Sequence, residues 1–421
     1  MRLWKSPMKS RNDSSFSIRV TELGRHGDGI AVTPDGRIFV PGALAGEVIQ
    51  VRPVGKTHEL LEVLEPSQER RTPTCPHFSV CGGCSIQHLS DEAYREWKSS
   101  IVSKALEHKG LDTRVAPFLD AHGEGRRRVT LHVRFSKGRI LVGFMQASSH
   151  RLFDLDRCPI LVEGLENVTD IARRLSKPFT SKGKPFDIRI TDSDSGLDCD
   201  FQSRLALDLD SRMDLAEVAE EYDLARITVM GDIVLERRKP VLTMGNTKVT
   251  LPPGGFLQAT GNGEETLSRL VLEGCEGATS VADLFCGVGP FALRLAAQAS
   301  VLAVDNDEAA VKALDQAWRH GHGLKPVKTE VRNLKRNPLH VSELNGLDAI
   351  VFDPPRAGAE YQAHEIATSN VSTVIAVSCD PASFARDAAI LISGGYRLER
   401  VTPVDQFRYA SHIEVVGLFR K

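Results

Sequence analysis

The chain has 421 residues, a formal net charge of −2, 41% hydrophobic residues and 26% charged residues. That length exceeds what one core holds and predicts about three domains of ordinary soluble composition, with no global basic field advertising a nucleic-acid partner. No apolar run approaches the roughly 18 residues of a membrane span, and the opening MRLWKSPMKSRNDSSF lacks a signal-peptide core, so a cytoplasmic location without membrane contact is expected.

The first block, residues 15–69, reads FSIRVTELGRHGDGIAVTPDGRIFVPGALAGEVIQVRPV over most of its length. Short β-branched runs broken at Asp28-Gly29 and Asp35-Gly36 are hairpin signals. The pattern predicts a small OB-like β-barrel, a fold that often binds oligonucleotides along one strand face.

The second block, residues 70–248, is expected to be α+β. Its strand-like part is RRRVTLHVRFSKGRILVGFMQ, and a helical pattern over residues 91–110 is expected to pack on the block that follows. Cys75, Cys81 and Cys84 follow C-x5-C-x2-C, and a fourth thiol, Cys158, precedes Pro159. Eight cysteines in so long a chain are too few for a disulfide scaffold, and their clustering points to a metal or to catalysis. Four thiolates suit zinc or an iron–sulfur cluster, although the five-residue gap and distant fourth thiol fit zinc ribbons poorly. Basic runs occur at Arg126-Arg127-Arg128 and Arg237-Arg238-Lys239.

The third block, residues 249–421, alternates strand and helix as a parallel, Rossmann-like sheet requires. Strands are expected at 281–285, 301–304, 349–352, 371–377 and 412–419. In VADLFCGVGPFALRLAA, a strand runs into a Gly287-x-Gly289 turn and a helix opening at Pro290, a loop that cradles a nucleotide. Asp305 ends the next strand, where a carboxylate can accept both ribose hydroxyls. This pair fits a dinucleotide or S-adenosylmethionine; Asp283, poorly placed beside a pyrophosphate but well placed near a sulfonium and an amino group, favours the latter. Asp353-Pro354-Pro355 forms a rigid corner suited to gripping a planar base.

Cys379 lies in VSCDP, between an apolar strand and a helix with Pro381 in its first turn. A thiol is only a few per cent thiolate at pH 7, but the positive end of that helix would favour the thiolate. The chemistry that needs a thiol beside a methyl donor is pyrimidine C5 methylation. Attack on C6 makes C5 nucleophilic, and a base then removes the C5 proton. In SHIEVVGLF, His412 and Glu414 are two apart, hence on one face of an extended strand, and Glu414 is the candidate base. A nicotinamide-dependent dehydrogenase and a non-catalytic iron–sulfur RNA-binding protein are the rival readings.

With these residues in view, the chain resembles the RNA 5-methyluridine methyltransferases, most closely those that act on 23S ribosomal RNA. The resemblance rests on LGRHGDGIAV, the cysteine cluster, RRRVTL, DRCPIL, GGFLQAT, DLFCGVG, DPPRAG, SCDPASFARD and HIEVVGLF. It implies an N-terminal TRAM barrel that grips RNA, a central domain with a structural [4Fe–4S] cluster on Cys75, Cys81, Cys84 and Cys158, and a class I methyltransferase domain. By the same resemblance, Cys379 is the nucleophile and Glu414 the proton acceptor. Cofactor and substrate contacts fall to Gln258, Phe285, Asp305, Asn333 and Asp353. The expected partner is folded RNA, ribosomal in preference to transfer RNA, with phosphate contacts from Arg126, Arg127 and Arg128; no protein partner is expected. The chain departs from the family pattern at Pro290, where Asn is usual, and at Asp380, whose carboxylate is expected to raise the thiol pKa. The Asp353-Pro354-Pro355-Arg356 motif lacks the extra cysteine of the cytosine-C5 relatives, which favours uracil.

Overall fold

The computed structural model describes residues 15–55, 57–147 and 149–421. The chain divides into two compact units. One runs to Trp97 and takes in Tyr409–Ser411; the other comprises Lys98–Arg408 and His412–Lys421. The boundary falls inside the Asp91–Glu107 helix, three residues shorter than the expected 91–110.

In the first unit, the β-branched runs build two three-stranded antiparallel sheets. Phe16–Arg19, Val48–Val54 and Thr57–Glu65 form one; Glu22–Leu23, Gly29–Thr33 and Gly36–Val40 form the other. The second hairpin signal sits where expected, with Thr33 paired to Gly36 across Pro34-Asp35. Alternation turns Val20, Val40, Ala43, Ile49 and Val51 into a small buried core. The segment that follows is tied down by Arg70, whose Nε donates to the buried Glu47 carboxylate at 2.5 Å.

The second unit contains two large sheets. In the seven-stranded sheet, the order is Leu152–Asp154, Arg139–Met145, Arg128–Ser136, Phe186–Ser193, Gly196–Phe201, Arg226–Val229 and Asp232–Glu236. All its neighbours are antiparallel except Gly196–Phe201 with Arg226–Val229. The amphipathic helices Val168–Ser176 and Leu209–Glu221 bury Ile171, Leu175, Leu215 and Val218 in the core of this sheet.

In the eight-stranded sheet, the order is Val327–Val331, Ser300–Asp305, Ser280–Leu284, Ala349–Phe352, Thr373–Ser378, Glu414–Arg420, Arg397–Asp405 and Leu119–Asp120. The first five are parallel, Glu414–Arg420 is antiparallel to both its neighbours, and Leu119–Asp120 pairs parallel with Arg397–Asp405. The chain order reverses between Ser280–Leu284 and Ala349–Phe352, so a crevice opens beyond their carboxyl ends, where open sheets of this kind take ligands. Near-continuous Val, Ile, Ala and Leu in these strands match burial on both faces. Among the described residues, no helix is long and apolar enough to cross a membrane.

Candidate active site

The first wall of the crevice is the turn after Ser280–Leu284. Phe285 takes a left-handed backbone (φ +62°), rare for an aromatic residue, while its amide donates to the Val304 carbonyl at 2.8 Å. The two glycines differ in role. A Cβ on Gly289 would strike Leu314 Cδ1 at 2.3 Å, so that glycine makes room for the Glu308–His320 helix; a Cβ on Gly287 would meet nothing within 4 Å. The loop is thus open at Gly287. The helix expected from Pro290 is a single turn, Ala292–Leu295, so a long helix dipole does not back this loop.

Asp305 closes the loop from the neighbouring strand, accepting the Gly287 amide on Oδ2 and the Asp307 amide on Oδ1, both at 2.9 Å. Behind the loop, the Asp283 carboxyl is fully buried without a well-formed hydrogen bond, and burial pushes its pKa far above the usual carboxylate range. An open glycine turn with a carboxylate at the end of the next strand fits a nucleoside-bearing ligand, whereas Asp283, buried and held in its neutral form, offers no charge to a cationic end. Asn333 is exposed, and its Oδ1 accepts the Arg336 amide at 3.1 Å.

The second wall is the Asp353 corner. Gln258 Nε2 donates to Asp353 Oδ2 at 2.9 Å. Burial pushes the half-buried Asp353 carboxyl up to about 7, against the pull of that hydrogen bond. A shallow cleft bounded by Arg189, Asp200, Phe256 and Val288 is lined by neither Cys379 nor Glu414, so it is not the reacting pocket.

The third wall carries the thiol. Ser378 pairs with Val415 in antiparallel register, and this sets Cys379 beside Glu414, the next residue on each strand. Burial first, then the Glu414 and Asp353 carboxylates, push the Cys379 thiol up to about 12, with the Arg356 guanidinium opposing. Burial and the Asp353 charge likewise raise Glu414. Three acids sharing one pocket cannot all be charged at neutral pH.

The structure corrects several expectations. The Pro381–Ser393 helix does start beside Cys379, yet burial and the two carboxylates outweigh its dipole and the thiol is raised, not lowered. The expected source of that rise, Asp380, is occupied otherwise: it caps the helix, accepting the amides of Ala382 and Ser383 at 2.9 and 3.0 Å. His412 precedes the last strand instead of sharing a strand face with Glu414, and its Nε2 lies 3.1 Å from an Arg356 nitrogen. Arg127 is buried, donating to the Gln258 carbonyl at 3.1 Å and to Glu264 at 2.6 Å, so it anchors the site and does not face a phosphate.

Two side chains were not anticipated as parts of the site, Arg356 and Gln406, and Arg127 was expected at an RNA phosphate instead. Gln406 is enclosed, and its Nε2 donates to Gln258 Oε1 at 2.6 Å and to Glu414 Oε1 at 3.0 Å. Its adjacency in sequence to the buried Asp405, which pairs with Lys98 at 2.8 Å, was the one available signal.

Cys75, Cys81, Cys84 and Cys158 are all partly buried. The Gly83 amide donates to Cys81 Sγ at 3.4 Å, and burial, with Cys75 nearby, raises the Cys81 thiol. The donor chemistry suits a soft metal, but among the described residues no three His, Cys, Asp or Glu side chains are grouped to hold one.

A family profile described as tRNA (Uracil-5-)-methyltransferase matches residues 323–421. An uncharacterized RNA methyltransferase of Brucella suis is 45% identical, the alignment covering 96% of this chain and 97% of that protein. The 23S rRNA (uracil(1939)-C(5))-methyltransferase RlmD of Shewanella frigidimarina is 30% identical, with 98% and 97% covered. The fold is similar to that of the Pyrococcus abyssi tRNA (uracil-54, C5)-methyltransferase solved with S-adenosyl-L-homocysteine, with a TM-score of 0.74, 22% identity, and 96% and 99% of the two chains covered.

Proposed function

The chain belongs to the RNA 5-methyluridine methyltransferase family, and we propose that it is an S-adenosylmethionine-dependent RNA (uracil-5-)-methyltransferase acting on 23S ribosomal RNA, with Cys379 as nucleophile and Glu414 as proton acceptor. The observation that carries the reading is the pairing of Ser378 with Val415, which sets a thiol and a buried carboxylate side by side at the mouth of the crevice. The preference for ribosomal RNA is supported by the end-to-end match to the 23S enzyme.

The target uridine leaves its stack, at a cost of a few kcal/mol, and enters against the Asp353–Gln258 pair. Cys379 Sγ bonds to C6, which gives C5 enolate character. Phe285, Gly287, Asp305 and Asn333 would hold S-adenosylmethionine, which would supply an electrophilic methyl group to C5 and leave as S-adenosyl-L-homocysteine. Glu414 takes the C5 proton, the C5–C6 double bond re-forms and the thiolate leaves. The raised thiol means that only a small fraction of Cys379 is thiolate at neutral pH, and that fraction, its proton released to solvent, forms the bond to C6. The Arg356 guanidinium favours the thiolate.

We propose further that residues 15–69 act as an RNA-binding TRAM domain, and that Cys75, Cys81, Cys84 and Cys158 ligate a structural [4Fe–4S] cluster with no part in the reaction. Support is limited to the donor set and to family membership.

The test is nucleoside mass spectrometry on separated ribosomal and transfer RNA from cells with and without the gene, complemented by wild type or Cys379→Ala. Loss of 5-methyluridine from the ribosomal fraction, restored by wild type alone, is expected. Loss from transfer RNA alone would keep the chemistry and overturn the substrate. Loss from neither would overturn the activity.

A further inference from the structure

Glu414 presents two unequal oxygens. Oε1 accepts from Gln406 Nε2 at 3.0 Å, whereas Oε2 is buried with no hydrogen-bond partner. The Gln406 amide is itself unable to turn over. Its Oε1 accepts from the backbone amides of Ala259 and Thr260 at 2.8 and 3.4 Å, groups that can only donate. Its Nε2 therefore points at Glu414 and at Gln258 Oε1, 2.6 Å away. Gln258 passes the contact to Asp353 at 2.9 Å. Four side chains in a row thus join the carboxylate beside the thiol to the acidic-diproline corner, and the row leaves a single oxygen of Glu414 unengaged.

We propose that Gln406 is a positioning residue for proton removal: it holds Glu414 by one oxygen so that Oε2 is the atom that receives the C5 proton. The inference rests on the assignment of Glu414 as proton acceptor. In the step concerned, the C5–H bond breaks and its proton goes to Oε2. The bonding pair becomes the C5–C6 double bond, and the C6–Sγ bond breaks with its electrons returning to Cys379 as thiolate. Attack on C6 and arrival of the methyl group precede this and use neither Glu414 oxygen, so loss of Gln406 falls on the second half of the cycle. The hydrogen bond from Gln406 also favours the charged form of Glu414, the form that accepts a proton.

The test separates the two halves. RNA carrying 5-fluorouridine at the target has no C5 proton to lose, so its reaction stops at the methylated Cys379 adduct, visible on a denaturing gel. Gln406→Met keeps the volume and removes both donated hydrogen bonds. It is expected to form the fluoro adduct within about twofold of the wild-type rate. On ordinary uridine RNA it turns over roughly ten- to a hundredfold slower, accumulates methylated protein–RNA adduct and needs higher pH to reach its maximum. Should Gln406→Met not fold, Gln406→Asn, which withdraws the amide by one methylene, is expected to show the same partition. Equal slowing of both reactions would make Gln406 a packing residue and overturn the proposal, as would no change in either. A wild-type protein that forms no fluoro adduct would instead sink the catalytic reading beneath it.

Discussion

At Cys379 two opposing effects meet, and their sizes decide the outcome. The helix that starts at Pro381 favours a thiolate, typically by less than about 1 kcal/mol. Burial beside Glu414 and Asp353 moves the thiol from its ordinary 9.0 up to about 12. Raising an acid disfavours its charged form, so at pH 7 the thiolate fraction drops from about one in a hundred to about one in 10⁵. Alkylation of Cys379 by iodoacetamide, followed by mass spectrometry of its peptide, should then rise about tenfold per pH unit from 7 to 10 without a plateau. Glu414→Gln removes the second-largest cause of the rise. In that variant the pKa falls, Cys379 alkylates several-fold faster at pH 9, and turnover is lost while the methylated adduct accumulates. An unchanged alkylation rate would show that Glu414 exerts no charge on the thiol. Cys379 stood out in the sequence because a thiol at a strand end is unusual, whereas Glu414 was singled out by its spacing from His412 and by the resemblance. The connecting roles of Gln406 and Arg127 were not legible, because a polar side chain becomes a connector only through partners far away in sequence, 148 positions for Gln406 and Gln258.

At the scale of elements, legibility followed hydrophobic pattern. Ala349–Phe352 was read to the residue and its inner neighbours to within two, since parallel strands covered on both faces are continuous apolar runs. Val327–Val331, an edge strand reading VKTEV, and Arg397–Asp405, which contains Pro403, were missed because their polar or proline positions break the pattern. The helix after the glycine turn was over-read, because ALRLAA has helical propensity yet the chain must turn within one helical turn to start the Ser300–Asp305 strand. The Asp380 cap has a consequence that pattern could not supply. Its carboxylate holds the first turn of the helix that seats Cys379, so Asp380→Ala should lower stability by about 1 kcal/mol in urea denaturation and reduce the adduct rate. Asp380→Asn caps as well as Asp and should retain both. If both variants lost activity alike at unchanged stability, the charge and not the cap would be what matters there.

For the whole molecule, the formal charge of −2 means that attraction to RNA must come from local surface, since the chain as a whole supplies none. The basic run expected to serve that role is partly spent inside: Arg127 is buried against Glu264, and Arg128 donates to the Gly255 carbonyl at 2.9 Å while lying over the exposed Phe256 ring. Surface outside the reacting pocket must then present the RNA, and the proposed cluster offers a way to test which part does so. A cluster held by four thiolates would have no open iron for chemistry, which makes the proposed structural role testable. Anaerobic reconstitution with iron and sulfide should give a brown protein with four irons per chain, and Cys81→Ser should prevent it. S-adenosyl-L-homocysteine affinity should stay unchanged in that variant, because the glycine turn and Asp305 are built from the parallel sheet alone. RNA affinity should fall in the same variant, since disordering the loop from Cys75 to Cys84 removes surface from the substrate and none from the cofactor. A colourless protein that binds no iron would overturn the cluster, and a methylation rate that changed on reducing an intact cluster would overturn its purely structural role.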